Sequence, residues 1–301
     1  MDRMIKVVFL NLCFVSGLLA DTTLRIMTFN IWRGGAAGGE PLSQTIKVIR
    51  ESKADVVGIQ ESYVGKVDSA AKIAKSLGWH HFSQGGGRSV ISRFPINGHT
   101  PKKYGVTLTI AKGITMKLFN VHFRPAPYQP YQFKRIPYGN APFITTAKEA
   151  GEWARKARGS QVDGLLSELK PAIAEGGPVF LTGDFNEPSF QDWTDRARKA
   201  NLIPVSVKYP ATSMVVDAGM VDSFRAVYPD EVKFRGNTWT NRTSPTDPKD
   251  FHDRIDFVFA HGVKTVASEV VGENERKADI VVDPWPSDHR AVVSTFVMEG
   301  K

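Results

Sequence analysis

Residues 178–189 read Pro-Val-Phe-Leu-Thr-Gly-Asp-Phe-Asn-Glu-Pro-Ser, PVFLTGDFNEPS. The apolar run Val179-Phe180-Leu181 has the look of a buried strand, and it ends on a glycine, an acid and an amide. Gly, Asp and Asn all tolerate tight backbone geometry, so the local pattern is a strand running into a turn. That turn also brings a carboxylate (Asp184) and a carboxamide (Asn186) to the end of a rigid buried element, a placement that suits a polar site. The other strand ends decide between a plain turn and a site.

Apolar, β-branched runs recur at 24–29, 56–59, 89–91, 106–110, 114–121, 179–181, 255–259, 266–271, 279–282 and 291–297. Helical patterns near 43–51, 68–77, 146–170 and 190–200 alternate with them. The third opens with a capping box, Thr146 and Glu149, and carries Val162, Leu165, Leu166 and Leu169 at helical spacing. It is predicted to stop at Pro171. Many strands with interspersed helices predict a layered α/β domain. Residues 124–142, RPAPYQPYQFKRIPYGNAP, read as one long irregular loop, and loops of that length in compact domains tend to carry function.

Each strand delivers something polar at its end. The run at 24–29 stops at Asn30, 56–59 at Gln60-Glu61, 114–121 at His122, and 179–181 at Asp184 and Asn186. Asp256 sits inside the apolar run at 255–259, and Ser287-Asp288-His289 stands just before the last run. Several apolar strands that each offer one or two residues from the set Asn, Glu, His and Asp describe one crevice at a sheet edge. Carboxylates and amide oxygens with few histidines suit a hard, oxygen-loving cation such as Mg²⁺ or Mn²⁺. Asp256 between Ile255 and Phe257 is costly to bury without a partner, and a histidine is a natural one. With no serine in a nucleophile-elbow context, water is the expected attacking group.

The set resembles the endonuclease/exonuclease/phosphatase superfamily, which includes deoxyribonuclease I, repair nucleases, sphingomyelinases and inositol polyphosphate phosphatases. The matching stretches are MTFNIW (27–32), GIQES (58–62), FNVHF (119–123), LTGDFNEPS (181–189), DRIDFVFA (253–260) and PSDHRAVV (286–293), in the family's order. The resemblance implies an α/β (α+β) four-layer sandwich of two packed mixed sheets flanked by helices, with metal-dependent phosphoester hydrolysis at one edge. It implies that Asn30 and Glu61, helped by Asp288, hold Mg²⁺ (or Mn²⁺), that Asp184 orients or deprotonates the attacking water, and that Asn186 binds a phosphate oxygen. His289 paired with Asp256 would act as acid/base or stabilise the phosphorus centre, and His122 would serve the phosphate or leaving group from the other side. The inositol-phosphatase motif is only half present, since His252 stands where its cysteine belongs.

Composition bounds the rest. The chain has 301 residues, 42% hydrophobic and 23% charged, enough for one large core. Arg3 and Lys6 precede an apolar run at 7–20, the pattern of a secretory signal peptide cleaved between Ala20 and Asp21. The expected organisation is therefore a leader at 1–20 and one catalytic domain at 21–301, secreted and acting as a monomer. The only cysteine, Cys13, falls in the leader, so the mature chain has no disulfide, thiol nucleophile or thiolate metal site. The net charge of +8, or +7 without residues 1–20, favours a polyanionic partner.

The segment after His122 is expected to line the crevice, with Tyr131, Tyr138 and Arg124 touching substrate. Aromatic rings stack on bases while Arg and Lys neutralise phosphates, so the expected substrate is a nucleic-acid phosphodiester. The alternatives are a phospholipid phosphodiesterase of sphingomyelinase type, which needs an apolar patch such as Trp32, Tyr128 and Phe143 on an anionic lipid surface, or a small-molecule phosphatase. A non-enzymatic binding protein would need a broken catalytic set, and this one is whole.

Overall fold

A computed structural model of the chain describes residues 22–111 and 113–298; the expected leader at 1–20 lies outside the described residues. Seven strands form one sheet in the spatial order Ile280–Val281, Lys264–Gly272, Ala291–Met298, Thr22–Asn30, Val56–Gln60, Arg88–Ser92 and His80–Gly85. Six form a second in the order Val221–Asp222, Asp256–His261, Val179–Asp184, Ile114–His122, Gly105–Ala111 and Ile96–His99. Both sheets are mixed: Thr22–Asn30 runs parallel to Val56–Gln60 and antiparallel to Ala291–Met298, and Val179–Asp184 runs parallel to Ile114–His122 and antiparallel to Asp256–His261.

Strand alternation sorts the side chains into layers. Met27, Phe29, Val57 and Ile59 point outward onto Ile46, Ile49 and Ile73 of helices Leu42–Glu51 and Ser69–Leu77. Phe119, Val121, Leu181 and Phe257 point outward on the other side, onto Val162, Leu165 and Val215 of helices Ala147–Ala174 and Pro210–Asp217. Leu24, Ile26, Val56, Leu118, Phe180 and Val258 meet between the sheets. The result is the expected four-layer sandwich. Counting on by two along each strand puts Asn30, Gln60, His122, Asp184 and Asp256 on the inter-sheet face, where the apolar filling stops.

The sheets touch closely just below that point. A Cβ on Gly58 would lie 1.9 Å from Thr182 Oγ1 and 2.7 Å from Asn120 Oδ1, so only glycine fits. Around it runs a fully buried polar layer. Gln60 Nε2 donates to Asn120 Oδ1 at 2.7 Å, Thr182 Oγ1 donates to the same oxygen at 3.1 Å, and Asn120 Nδ2 donates to Gln84 Oε1 at 2.9 Å. Each bond crosses from one strand to another, and with every polar group partnered the layer costs little to bury.

Three expectations are corrected. The long helix passes through Pro171 and ends at Ala174, because the bond lost to the proline falls in the final turn and Ala172 and Ile173 still pack on the sheet. The helix expected at 190–200 shrinks to Asp195–Lys199. Asp192 and Trp193 are drawn into buried bonds with Arg254 and Asp253, and Thr194 caps the helix after them. The segment 124–142 is not one irregular loop, since Gln129–Lys134 is helical.

Candidate active site

His122, Asp184 and Asp256 stand in one row, paired residue to residue across three neighbouring strands. Asp184 is the hub. Its Oδ2 accepts from Asn30 Nδ2 at 3.0 Å, across the gap from the other sheet, and lies 3.6 Å from His122 Nε2 and 3.8 Å from His289 Nε2. Its Oδ1 accepts the Asn186 backbone N–H at 2.8 Å, the turn foreseen in the sequence. Asn186 adopts a left-handed φ of 48°, and its Nδ2 donates to the Phe123 carbonyl at 3.1 Å.

His289 comes from the loop before the last strand, and that loop is pinned at every residue. Ser287 Oγ donates to the Asn30 carbonyl at 2.7 Å. The carbonyls of Ser287, Asp288 and His289 accept from Asn241 Nδ2, Thr240 Oγ1 and Trp285 Nε1 at 2.9, 2.9 and 2.8 Å. His289 Nδ1 lies 2.9 Å from Asp256 Oδ2, as the sequence led us to expect. Burial works against a charge on this ring, but the carboxylates of Asp256 and Asp184 outweigh it and hold its pKa up at about 10. Both carboxylates favour the charged form of the ring, whose Nδ1 is set against Asp256 and whose Nε2 faces Asp184.

Glu61 follows Gln60 in a left-handed conformation, φ 55°. Its oxygens accept from Asn30 Nδ2 at 3.3 Å and Arg33 N at 2.9 Å. Asp288 completes an acidic face beside it. Burial pushes its carboxyl up to about 6, His289 opposes the rise, and the charges of Glu61 and Asp184 add to it. Asp288 Oδ1 is buried with no hydrogen-bond partner. An orphaned carboxylate oxygen beside a second carboxylate is the donor set a hard divalent cation relieves. Asn30, expected as a ligand, accepts from Trp32 N through Oδ1 and turns its amide nitrogen to Glu61 and Asp184. Asp184, Asp256 and His289 also bring ligand-type atoms within 4.8 Å of one another, a second group among the described residues that could hold a metal ion.

A pocket of about 290 Å³ opens over this centre, lined by Glu61, His122, Asp184, Asn186, Asp288 and His289 together with Trp32, Arg33, Tyr128, Tyr131, Tyr138 and Trp239. Tyr131 and Tyr138 line it as expected, edge to face at 5.6 Å. Tyr131 Oη donates to Asp250 Oδ1 at 2.5 Å and accepts from Trp239 Nε1 at 3.2 Å. Arg124 is exposed and outside the lining, although its neighbours His122 and Pro125 belong to it. The apolar patch a lipid surface needs is not assembled. Tyr128 is buried with its Oη on Asp253, and Trp32 and Phe143 each carry an arginine over the ring. Sequence reasoning missed Trp239, whose ring lies tilted against His289 at 4.9 Å, and Thr238, whose Oγ1 accepts the Asp256 N–H at 3.1 Å. Neither lies at the end of an apolar run, so no periodic signal marks it.

The sequence matches the model of the Endonuclease/Exonuclease/phosphatase family over residues 27–289. An uncharacterised protein of Caenorhabditis elegans is 27% identical over 95% of each chain. Among solved structures, an AP endonuclease from Archaeoglobus fulgidus superposes with a TM-score of 0.57 at 17% identity, covering 91% of this chain and 99% of that one. A 3′ phosphatase from Neisseria, determined with product DNA hairpin, gives 0.56 at 17% identity with the same coverage. Since that family model spans most of the chain, the chain belongs to the Endonuclease/Exonuclease/phosphatase family of metal-dependent phosphoesterases.

Proposed function

We propose that this protein is a secreted, monomeric, Mg²⁺-dependent phosphodiesterase that cleaves nucleic acid by attack of water on phosphorus. The observation that carries the chemistry is the crowding of Asn30, His122 and His289 around one Asp184 oxygen, with proton donors on three sides of a carboxylate that still faces the pocket. Asp184 orients the water and accepts its proton as the new P–O bond forms. His289, held charged by Asp256, hydrogen-bonds the phosphoryl oxygen through Nε2, where negative charge accumulates. Asn186 binds a second phosphoryl oxygen. His122 faces the departing ester oxygen, which takes up a proton as its bond to phosphorus breaks. Glu61 and Asp288 would hold the cation, which when bound supplies Lewis-acid stabilisation of charge on the phosphate. Asn30 fixes Glu61 and Asp184 relative to one another.

Support for nucleic acid comes from the tyrosine wall, the net positive charge, and relatives of the same fold that are a DNA-bound 3′ phosphatase and an AP endonuclease. Residues 21–301 should be assayed on plasmid DNA, RNA, sphingomyelin and a bis-aryl phosphate, with Mg²⁺ or EDTA, alongside Asp184→Asn. DNA or RNA cleavage that needs Mg²⁺ and disappears in the variant is expected. Lipid turnover without nucleic-acid turnover would replace the substrate assignment, and no metal-dependent turnover of any ester would remove the function. Protein recovered from the medium of an expressing host should begin at Asp21.

A further inference from the structure

Four successive residues after Ile31 are left-handed: Trp32, Arg33, Gly34 and Gly35 have φ of 53°, 49°, 68° and 71°. For the two that bear a Cβ this conformation is unfavourable, and it persists only where neighbours enforce it. The enforcement is visible. Trp32 N donates to Asn30 Oδ1, Arg33 N to Glu61 Oε2 and Gly34 N to the Glu61 carbonyl. The strained turn thus wraps the acid at the head of the pocket and sets two side chains, Trp32 and Arg33, on the pocket wall.

Trp32 also carries a second cation. The Arg242 guanidinium lies 5.4 Å from its ring centroid, a stack that orients arginine while leaving its N–H groups free. Both arginines are exposed, and among the described residues neither guanidinium meets a carboxylate or donates a hydrogen bond to the protein. The buried Arg158, Arg225, Arg254 and Arg290 are each paired with an acid. Arg33 is the one arginine in the pocket lining, which holds no lysine. Arg33 in the lining and Arg242 over the adjoining Trp32 ring thus put unpaired guanidinium groups, whose forked donors match a phosphate, on the Trp32 side of the pocket.

We propose that Arg33 and Arg242, the latter braced on Trp32, form a second anion subsite that takes the phosphate adjoining the scissile one in a polyanionic substrate. The subsite rests on the nucleic-acid reading above, and it requires a substrate with at least two phosphorus atoms in sequence. Arg33→Gln and Arg242→Gln should each raise KM for a single-stranded oligonucleotide about tenfold, with kcat changing less than about twofold. Together they should also flatten the dependence of log KM on log salt by about 0.7, the share of one phosphate on a single strand. A bis-aryl phosphate, with its single phosphorus, should be affected much less. Trp32→Leu, checked for folding by circular dichroism, should reproduce the Arg242→Gln effect on KM. Wild-type cleavage of the oligonucleotide with unchanged KM and salt slope in both variants would overturn the subsite alone. Equal losses on both substrates would also overturn it, placing these arginines at the reacting phosphorus. A wild type that hydrolyses the aryl ester but no oligonucleotide would overturn the subsite and the nucleic-acid reading together.

Discussion

Replacing Asp256 with Asn tests the charge on His289 directly. The substitution keeps the volume and the Thr238 bond to the backbone and removes one charge, 2.9 Å from Nδ1. Burial opposes the imidazolium, so without that carboxylate the ring's pKa should fall well below about 10, with Asp184 and Asp288 left to favour the charge. The assay is NMR of histidine-labelled, metal-free protein, following the His289 ring against pH in both forms. Hydrolysis at neutral pH should fall by about 10²- to 10⁴-fold, the span expected when a positioned proton donor is lost. The stability linkage has a definite sign. A pKa raised on folding contributes fully below 6.5 and is lost as pH climbs through about 10, so the wild-type advantage over the variant should shrink across that window. An Asp256→Asn ring that stays charged well above neutral pH, or a rate loss under about tenfold, would refute the pairing as the source of the imidazolium.

Three further outcomes follow from buried groups away from the pocket. Arg254 bonds Asp192 at 3.0 and 3.1 Å and Asp222 at 3.0 Å; Arg254→Met leaves Asp222 with no cation and Asp192 with Arg225 alone. It should cost about 3–5 kcal/mol, or roughly 6–15 °C in melting temperature by calorimetry. Burial pushes the Asp253 carboxyl up to about 7 despite Arg235, Trp193 and Tyr128, so the folded state is penalised progressively from pH 3.8 to 7. Asp253→Asn should gain on the order of 2–4 kcal/mol relative to wild type between those limits, read from urea unfolding at both ends, and an equal difference at the two ends would remove the explanation. Gly58→Ala drives a Cβ against Thr182 Oγ1 and should cost about 2 kcal/mol or more, partly recovered when combined with Thr182→Ala. An unchanged urea midpoint in the single variant would show that the sheets can part there.

The centre of the site was legible because it obeys alternation. Asn30, His122, Asp184 and Asp256 each sit in register with an apolar run, and one face of each strand had to meet the other sheet. What alternation could not mark stayed hidden. Trp239 and Thr238 lie in irregular chain, and the roles of Trp32 and Arg33 depend on a left-handed turn that composition does not announce. The edge strands His80–Gly85 and Ile96–His99 went unseen because their polar, half-exposed sequences lack an apolar stripe. Tyr128 illustrates the opposite error. An aromatic in a Pro-rich stretch suggested part of an apolar patch for a lipid surface, yet its hydroxyl is spent on Asp253 and it is 4% exposed.

The Gln60–Asn120–Thr182 layer gives the sandwich a keyed joint. Two sheets held only by aliphatic side chains can slide past one another by a fraction of a residue with little penalty, and Asn30 on one sheet would then drift from Asp184 on the other. Directional bonds about a glycine notch fit together in one alignment only. Mutations at these three positions should therefore yield folded protein with a misaligned active edge, and a screen for lost activity would recover them although none of the three contacts the substrate.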